Sequence, residues 1–538
     1  MCLAGLGWLV CGAFLVAGVP LFLRMPPWCD LTLYEMAARA IMRGGTHYQD
    51  VFDTNFPGFV WCLVGVRRFF GTSVEAVRTV DLFLVTAITW LLIRIVRKCG
   101  ASRVSIAWFA AAVAAFYPFT TEFSHCQRDV WMTLPILIAV ALRLKHLASP
   151  ERQRRDPFFE GIIWGVAVWF KPHVMFIAIP VWLITKSRCP SPRQDLCGQF
   201  LGGLLVGVAG LAWLIVTGTL LPFLEVFTTW NNGYLLAVWS ETPAMAARFL
   251  TMFPPWSLLH LVGVPLAIRD LRRRHDNDEA FFQSVLATLY LAFLFQACAL
   301  QRNFDYVHIP ETLLLFAVLA AHRSWLLPIA VLISCFSHPA LDRERMSHWQ
   351  DCFKTLNDPY DYRQRQLDLA REREYFPCIN PVEIGEVADW LRTQGVTDGE
   401  VIAWHDSPHA VYLELGLRTN FRFMHITTTL ISVKNRQRMQ RELLAKALPG
   451  AKYFVTDILH PMRFTDAVTW NRRREPGPDL LPPVFSKQAR TAFPYNQSAV
   501  FRTSNGHGRY LVHRLDPDIT ERLNAGQVMF EFDVDLWP

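Results

Sequence analysis

The chain has 538 residues, of which 52% are hydrophobic and 18% charged, with a formal net charge of +7. Soluble domains carry closer to about 25% charge, so this balance excludes an ordinary water-soluble protein. The Lys and Arg residues sit in short clusters between apolar runs, which is a signal of membrane topology and argues against nucleic acid as a partner.

The composition divides in two, a hydrophobic body over 1–340 and a domain of ordinary polarity over 341–538. Residues 3–23 lack a basic leader and a small-x-small cleavage site, so they read as a first membrane helix rather than a signal peptide. Further apolar runs follow at 76–96, 104–120, 130–147, 158–170, 172–185, 198–217, 253–268, 281–299, 307–321 and 324–337, about eleven spans in all. The fifth and sixth are short and meet at Lys171-Pro172, where the missing proline N–H predicts two half-length helices.

Alternate loops carry the basic residues. Arg94, Arg97, Lys98 and Arg103 are followed by Arg143, Lys145, Arg152, Arg154 and Arg155, then Lys186, Arg188 and Arg193, then Arg269 and Arg272 to Arg274, then Arg323. The positive-inside rule therefore places the N-terminus in the cytoplasm and, after an odd number of spans, the C-terminal domain outside the plasma (inner) membrane.

The first outer loop, 24–75, is far longer than a connector requires. Within 31–43, Leu31, Tyr34, Ala38 and Ile41 share one helical face and Glu35, Arg39 and Arg43 the other, as for a helix lying in the membrane interface. Residues 59–70 form a second short, basic apolar stretch expected to lie flat. Other outer segments are 121–129 with Arg128 and Asp129, 220–255 with many aromatics, and 301–308 with Arg302, Tyr306 and His308. Together these loops predict an extracytoplasmic cavity with carboxylates at Asp30 and Asp129, cations at Arg128, Lys171 and Arg302, and aromatic walls. The twelve cysteines form no CxxC or Cys/His array, so no metal site is expected, although Cys352 and Cys378 could form a disulfide if their segment is outside. Asp50 and Asp53 offer a divalent cation site, but Asp-rich turns are common and no cofactor is favoured.

The order of these features resembles the membrane glycosyltransferases of the C-type fold, which include the protein O-mannosyltransferases and the lipid A aminoarabinose transferase. The resemblance rests on Asp30 after the first span, Gly45-Thr46-His47-Tyr48-Gln49-Asp50 with Phe56-Pro57-Gly58, Gln127-Arg128-Asp129, Phe170-Lys171-Pro172, and Arg302, Tyr306 and Pro310. It covers the membrane body and a periplasmic α/β domain found in one branch. It implies transfer of a sugar from a polyprenyl phosphate to a glycan, lipid or protein acceptor hydroxyl by a single inverting displacement. It further implies Asp30 as the base, Asp129 as a second acidic residue, donor-phosphate contacts from Lys171, Arg302 and Arg128, and substrate contacts from Tyr48, Asn55, Tyr306 and His308. One departure stands out: Asn55-Phe56 occupies the place where close relatives of the aminoarabinose transferase have a lysine before Pro-Pro.

Each residue also has a plainer reading. Asp30 is placed to cap the helix that follows. Asp129 is placed to pair with Arg128, Lys171 and Arg302 to snorkel or anchor at the membrane face, and His125 and His308 to serve structure alone. A transporter, or a polysaccharide polymerase or ligase, is the rival class; against a transporter, no internal duplication is visible.

After a basic-acidic segment at 341–374, expected to be a solvent-washed helix, the chain reads as α/β. Helices are predicted at 381–394, 410–415 and 433–448, strands at 401–405, 453–457 and 510–515, and a loop at 471–483. That alternation implies a small parallel or mixed sheet.

Overall fold

The computed structural model describes residues 2–147, 156–230, 248–302, 304–336, 343–371, 378–404, 406–424, 433–457, 495–502, 508–515, 521 and 525. In chain order the helices are α1 Cys2–Arg24, α2 Cys29–Met42, α3 Gly58–Phe70, α4 Val74–Lys98, α5 Arg103–Phe116, α6 Arg128–Leu147, α7 Asp156–Phe170, α8 Met175–Thr185, α9 Pro192–Val216 and α10 Leu220–Glu225. They continue as α11 His260–Arg272, α12 Asp278–Ala299, α13 Ile309–Ala321, α14 Leu326–Phe336, α15 Arg343–Ser347, α16 Pro359–Leu369, α17 Pro381–Thr393, α18 Ala410–Leu415 and α19 Val433–Glu442. The strands are β1 Val401–Trp404, β2 Tyr453–Asp457, β3 Tyr495–Arg502 and β4 Gly508–Leu515.

Two compact units emerge. The first comprises 1–24, 55–215 and 233–354, and the second 25–54, 216–232 and 355–538.

In the first unit each apolar run contains a helix, although α5 stops at Phe116 within the run 104–120 and α11 starts only at His260 within the run 253–268. Among the described residues five helices, α1, α4, α6, α9 and α12, are long and apolar enough to cross a membrane. The others are shorter; α8 and α14 have 11 residues each, so at about 1.5 Å per residue they cover roughly half of a ~30 Å hydrocarbon core. Helix starts follow local chemistry: Ser73, Ser102 and Asn277 accept hydrogen bonds from the amides of Ala76, Ser105 and Ala280. Small residues bring backbones together, since a side chain at Gly161 or Gly202 would collide with the carbonyls of Gln199 and Phe158 where α7 meets α9. The stretch expected to lie flat is α3, whose buried Arg67 folds back onto the carbonyls of Gly71 and Ser73 at 3.0 and 2.8 Å. It thereby satisfies carbonyls of the turn that joins α3 to α4.

The basic loop residues Arg152, Arg154 and Arg155 lie outside the described residues. Arg143, expected as one more loop charge, is instead buried against Glu160 and Asp195 at 3.1 Å each. It also donates to Thr185, so it ties α6, α7, α8 and α9 at one end.

The second unit is built on a four-stranded mixed sheet of order β1-β2-β4-β3, with β1 and β2 parallel and the other pairs antiparallel. The mixed sheet agrees with the sequence reading, while β3 was not anticipated, because Tyr495-Asn496-Gln497-Ser498 shows no apolar alternation. The loop expected at 471–483 lies outside the described residues, as does position 405 at the end of the first expected strand. The expected helix at 341–374 is broken into α15, a 3-10 turn at Gln350–Phe353 and α16, which starts at Pro359. Nor is it all washed by solvent, since Arg363 is buried and pairs with Asp389 at 3.0 Å and Glu414 at 2.7 Å. Cys352 and Cys378 are separate, buried thiols, one in each unit, and not a disulfide.

The largest correction concerns α2. The amphipathic pattern implied a polar face in water, yet Glu35 is buried, and Arg39 and Arg43 donate to the carbonyls of Leu413 and Gly416 at 3.1 and 3.0 Å. Thr32 bonds His409 at 2.6 Å. The polar face packs against the end of α18, with Arg43 still exposed at its edge, a pairing of distant segments that periodicity cannot reveal.

A buried ion pair anchors the sheet. Arg509 holds Asp457 at 2.7 Å, and Ser407 donates to the same carboxylate at 2.5 Å. Further along β4, His513 is fully buried beside Thr456, and desolvation lowers its pKa from 6.5 to about 4. A base whose folded pKa is depressed stabilises above the unfolded pKa and loses that contribution as pH falls through the folded value. Unfolding of the purified full chain should therefore lose up to ~3 kcal/mol of sheet stability between pH 6.5 and 4. His513→Gln should flatten that slope, as read by chemical denaturation at a series of pH values.

Candidate functional site

One cluster of buried charges in the first unit surrounds the break after α7. Pro172 has no N–H to continue the helix, and Lys171 adopts an extended backbone with φ −163° and ψ 122°. That turn sends the side chain inward. Its Nζ lies 2.7 Å from Asp129 Oδ1 and also donates to Gln301 Oε1. Only 3% of Lys171 is exposed and none of Asp129, so Lys171 does not snorkel to the membrane face. Charges this deep persist only when paired, because each alone would bear the full cost of leaving water.

Asp129 occupies the first turn of α6, where a negative charge faces the free amides of the helix start. Gln301 Nε2 adds a second hydrogen bond to Oδ1 at 3.1 Å. Oδ2 accepts none among the described residues, and Arg128 Nε approaches it only to 3.9 Å. The expected pairing with Arg128 is thus secondary to that with Lys171. The result is a carboxylate fixed through one oxygen and open through the other. Lys171 uses two of its three N–H donors in the described contacts, leaving one for a ligand oxygen.

The segment that supplies Gln301 also forms an aromatic wall. Arg302 stands over the Phe304 ring at 5.6 Å, Phe304 stacks on Tyr306 at 5.5 Å, and Phe123 meets Tyr306 edge-on at 5.2 Å. His308 bonds Glu311 at the start of α13, with Glu311 Oε2 and His308 Nε2 buried and without hydrogen bonds among the described residues. His125 is enclosed by Thr120 Oγ1 at 2.8 Å, the Tyr117 carbonyl at 2.9 Å and Arg78 at 3.3 Å, which fits a structural part.

The remaining expected residues divide between the units. Asn55 is half-buried at the start of a first-unit segment. Asp30 and Tyr48 belong to the second unit. Asp30 lies in the first turn of α2 and not at its N-cap, which is Trp28, so the simple capping reading fails. Tyr48 takes a left-handed φ of 67° and is fully buried, stacked on His47 at 3.9 Å. Its amide donates to the Val51 carbonyl at 3.0 Å and its own carbonyl accepts from Arg422 at 3.1 Å, which hold the strained turn in place. Asp50 accepts from the Thr46 amide at 2.7 Å, while Asp53 faces His47 at 3.6 Å. These two carboxylates therefore serve different neighbours, and no metal-binding group of three His, Cys, Asp or Glu occurs among the described residues.

Sequence reasoning brought out Asp129, Lys171 and Arg128 but gave no role to Gln301 or Glu311. A glutamine at the end of the long apolar α12 was the available signal for the first. Glu311 carried one too, as a carboxylate inside an apolar run.

Removing only one partner of the buried pair should be costly. Lys171→Met is expected to destabilise the protein by about 3–5 kcal/mol. Lys171→Met with Asp129→Asn should cost clearly less than the two single changes added together, as read from unfolding of the purified chain in detergent.

No family model matches the chain, and no curated protein matches it in sequence. Among solved structures, ArnT from Cupriavidus metallidurans bound to undecaprenyl phosphate is similar, with a TM-score of 0.52 and 12% identity. The match covers 95% of this chain and 98% of that one. An oligosaccharyltransferase from Archaeoglobus fulgidus, tethered with an acceptor peptide, matches at a TM-score of 0.46 and 11% identity over 94% of this chain and 74% of that one. The chain therefore has the C-type membrane glycosyltransferase fold expected from its sequence, and it is a multi-pass membrane protein.

Proposed function

We propose that this chain, sharing the fold of ArnT, is an integral membrane glycosyltransferase that moves a sugar from a polyprenyl phosphate to an acceptor hydroxyl. The acceptor is a glycan, lipid or protein, and the reaction takes place on the extracytoplasmic side of the plasma membrane. The alternating basic loops support that orientation, with the N-terminus in the cytoplasm and the C-terminal domain outside.

One observation carries the reading: the Asp129 carboxylate is clamped through Oδ1 by Lys171 and Gln301, while Oδ2 accepts no hydrogen bond among the described residues. A purely structural ion pair would be expected to satisfy both oxygens in so dry a place. A carboxylate held still with one oxygen open suits the orientation of a sugar or acceptor hydroxyl.

The chemistry is a single displacement. Asp30 takes the proton of the acceptor hydroxyl as its oxygen bonds to the anomeric carbon. The bond from that carbon to the donor phosphate breaks, and the polyprenyl phosphate leaves with the electron pair. Because attack and departure occupy opposite faces, the anomeric configuration inverts. Lys171, through its third N–H, together with Arg128 and Arg302 offsets the charge that grows on the leaving phosphate. These three take over the contact that a lysine at Asn55-Phe56 would have supplied.

Tyr306 and His308 contribute to the substrate side from the wall that includes Phe304 and Phe123, and Asn55 contributes from the first loop. Tyr48, with its ring buried, acts by fixing the shape of the 46–53 turn.

Asp30→Asn should lower sugar transfer by about 10²–10⁴-fold, the range for loss of a general base. Expression and retention of a polyprenyl-phosphate lipid, followed by native mass spectrometry, should stay near wild type. Turnover in that variant close to wild type would overturn the assignment of the base. Asp129→Asn should lower transfer as well, with weaker retention of substrate as its mark.

A further inference from the structure

The second unit contains a cavity of about 210 Å³ that plays no part in the proposed reaction. Its polar lining includes Arg39 of α2, Arg43 just after it, Tyr412 of α18, Arg418, Thr419 and Asn420 after α18, and Asp50 of the 46–53 turn. All of these belong to one compact unit. Three guanidinium groups face a single carboxylate, so the formal charge of the lining is positive.

Arg43 and Arg418 are braced through the backbone and use one side-chain donor each in the described contacts. Arg43 Nη1 donates to the Gly416 carbonyl at 3.0 Å and Arg418 Nη2 to the Arg43 carbonyl at 3.2 Å. Each guanidinium carries five N–H donors, and both of these side chains are exposed. Gly45 matters here because a side chain at that position would collide with the Asp50 carboxylate. Asp50 is itself tied to the Thr46 amide, so the one negative group is held at the rim.

We propose that this cavity binds an anionic headgroup, a phosphate or carboxylate with hydroxyl groups beside it. Fork-shaped guanidinium donors match the oxygens of such anions in pairs. Thr419 and Asn420 supply partners for the hydroxyls. The volume equals that of about seven liquid waters, more than a bare anion needs. The ligand is either a soluble phosphorylated sugar or the headgroup of an anionic lipid. The proposal does not depend on glycosyl transfer, because none of these residues is assigned to that reaction.

The test uses the full chain with two probes. Glucose 1-phosphate is titrated against protein in phosphatidylcholine nanodiscs, with glucose as the uncharged control. In the second arm, thermal unfolding is compared between phosphatidylcholine discs and discs containing phosphatidylglycerol. A response to glucose 1-phosphate identifies the soluble source, and a response confined to phosphatidylglycerol identifies the lipid. In the responding arm, Arg43→Ala with Arg418→Ala should weaken the effect about tenfold or more. Asp50→Asn should strengthen it about threefold by removing the opposing charge, a gain that a misfolded variant cannot mimic. Asp30→Asn should lose transfer and keep this binding. No response of wild type to either probe, or a response that neither the double variant weakens nor Asp50→Asn strengthens, overturns the proposal.

Discussion

A lysine ammonium and a carboxylate, both shut away from water in a largely apolar bundle, impose the strictest condition on the first unit. Asp129 comes from α6 and Lys171 from the break after α7, and Gln301 reaches them from a third segment. None of the three can shift far without leaving a charge stranded. The break at Pro172 is therefore more than an interruption of α7. It is what turns the lysine inward and fixes where α6, α7 and the end of α12 meet. The Arg143 cluster with Glu160 and Asp195 does similar work at the other end of the same helices. Specificity of packing in an apolar bundle, where one greasy surface fits another almost indifferently, is thus set by a few polar contacts.

The second unit follows the same logic on a different scaffold. Its sheet is short and its helices are small, but Arg509 fastens β4 to β2 through Asp457, and Arg363 links α16 to Asp389 of α17 and to Glu414 of α18. Arg422 bridges Glu225 and Glu442 at 3.1 and 2.6 Å, so residues far apart in the chain share one guanidinium. Arginine suits this task because a planar fork can satisfy two carboxylates or a carboxylate and a carbonyl at once.

Much of this was legible in the residues. The apolar runs marked the helices, Lys171-Pro172 marked the break, and the strand at 453–457 was read at the limits it has. These signals are local: periodicity, a missing donor, a run of branched and aromatic side chains. What the residues concealed is pairing at a distance. Nothing near Lys171 names Asp129 as its partner, and nothing in the amphipathic stretch of α2 and Arg43 announces that its arginines meet carbonyls 374 and 373 positions later. The strand β3 escaped for another reason: its place depends on β4 beside it and not on its own composition.

The interleaving of the two units has a consequence for how the chain is made. The second unit draws on 25–54, 216–232 and 355–538, so its first piece leaves the ribosome long before its last. At about 5–20 residues per second, α2 waits tens of seconds for α18. During that interval the buried Glu35 and the surfaces around it have no fold to enter. Biogenesis must therefore shelter that early segment, in the membrane interface or by a chaperone, until the end of translation delivers the rest of its core.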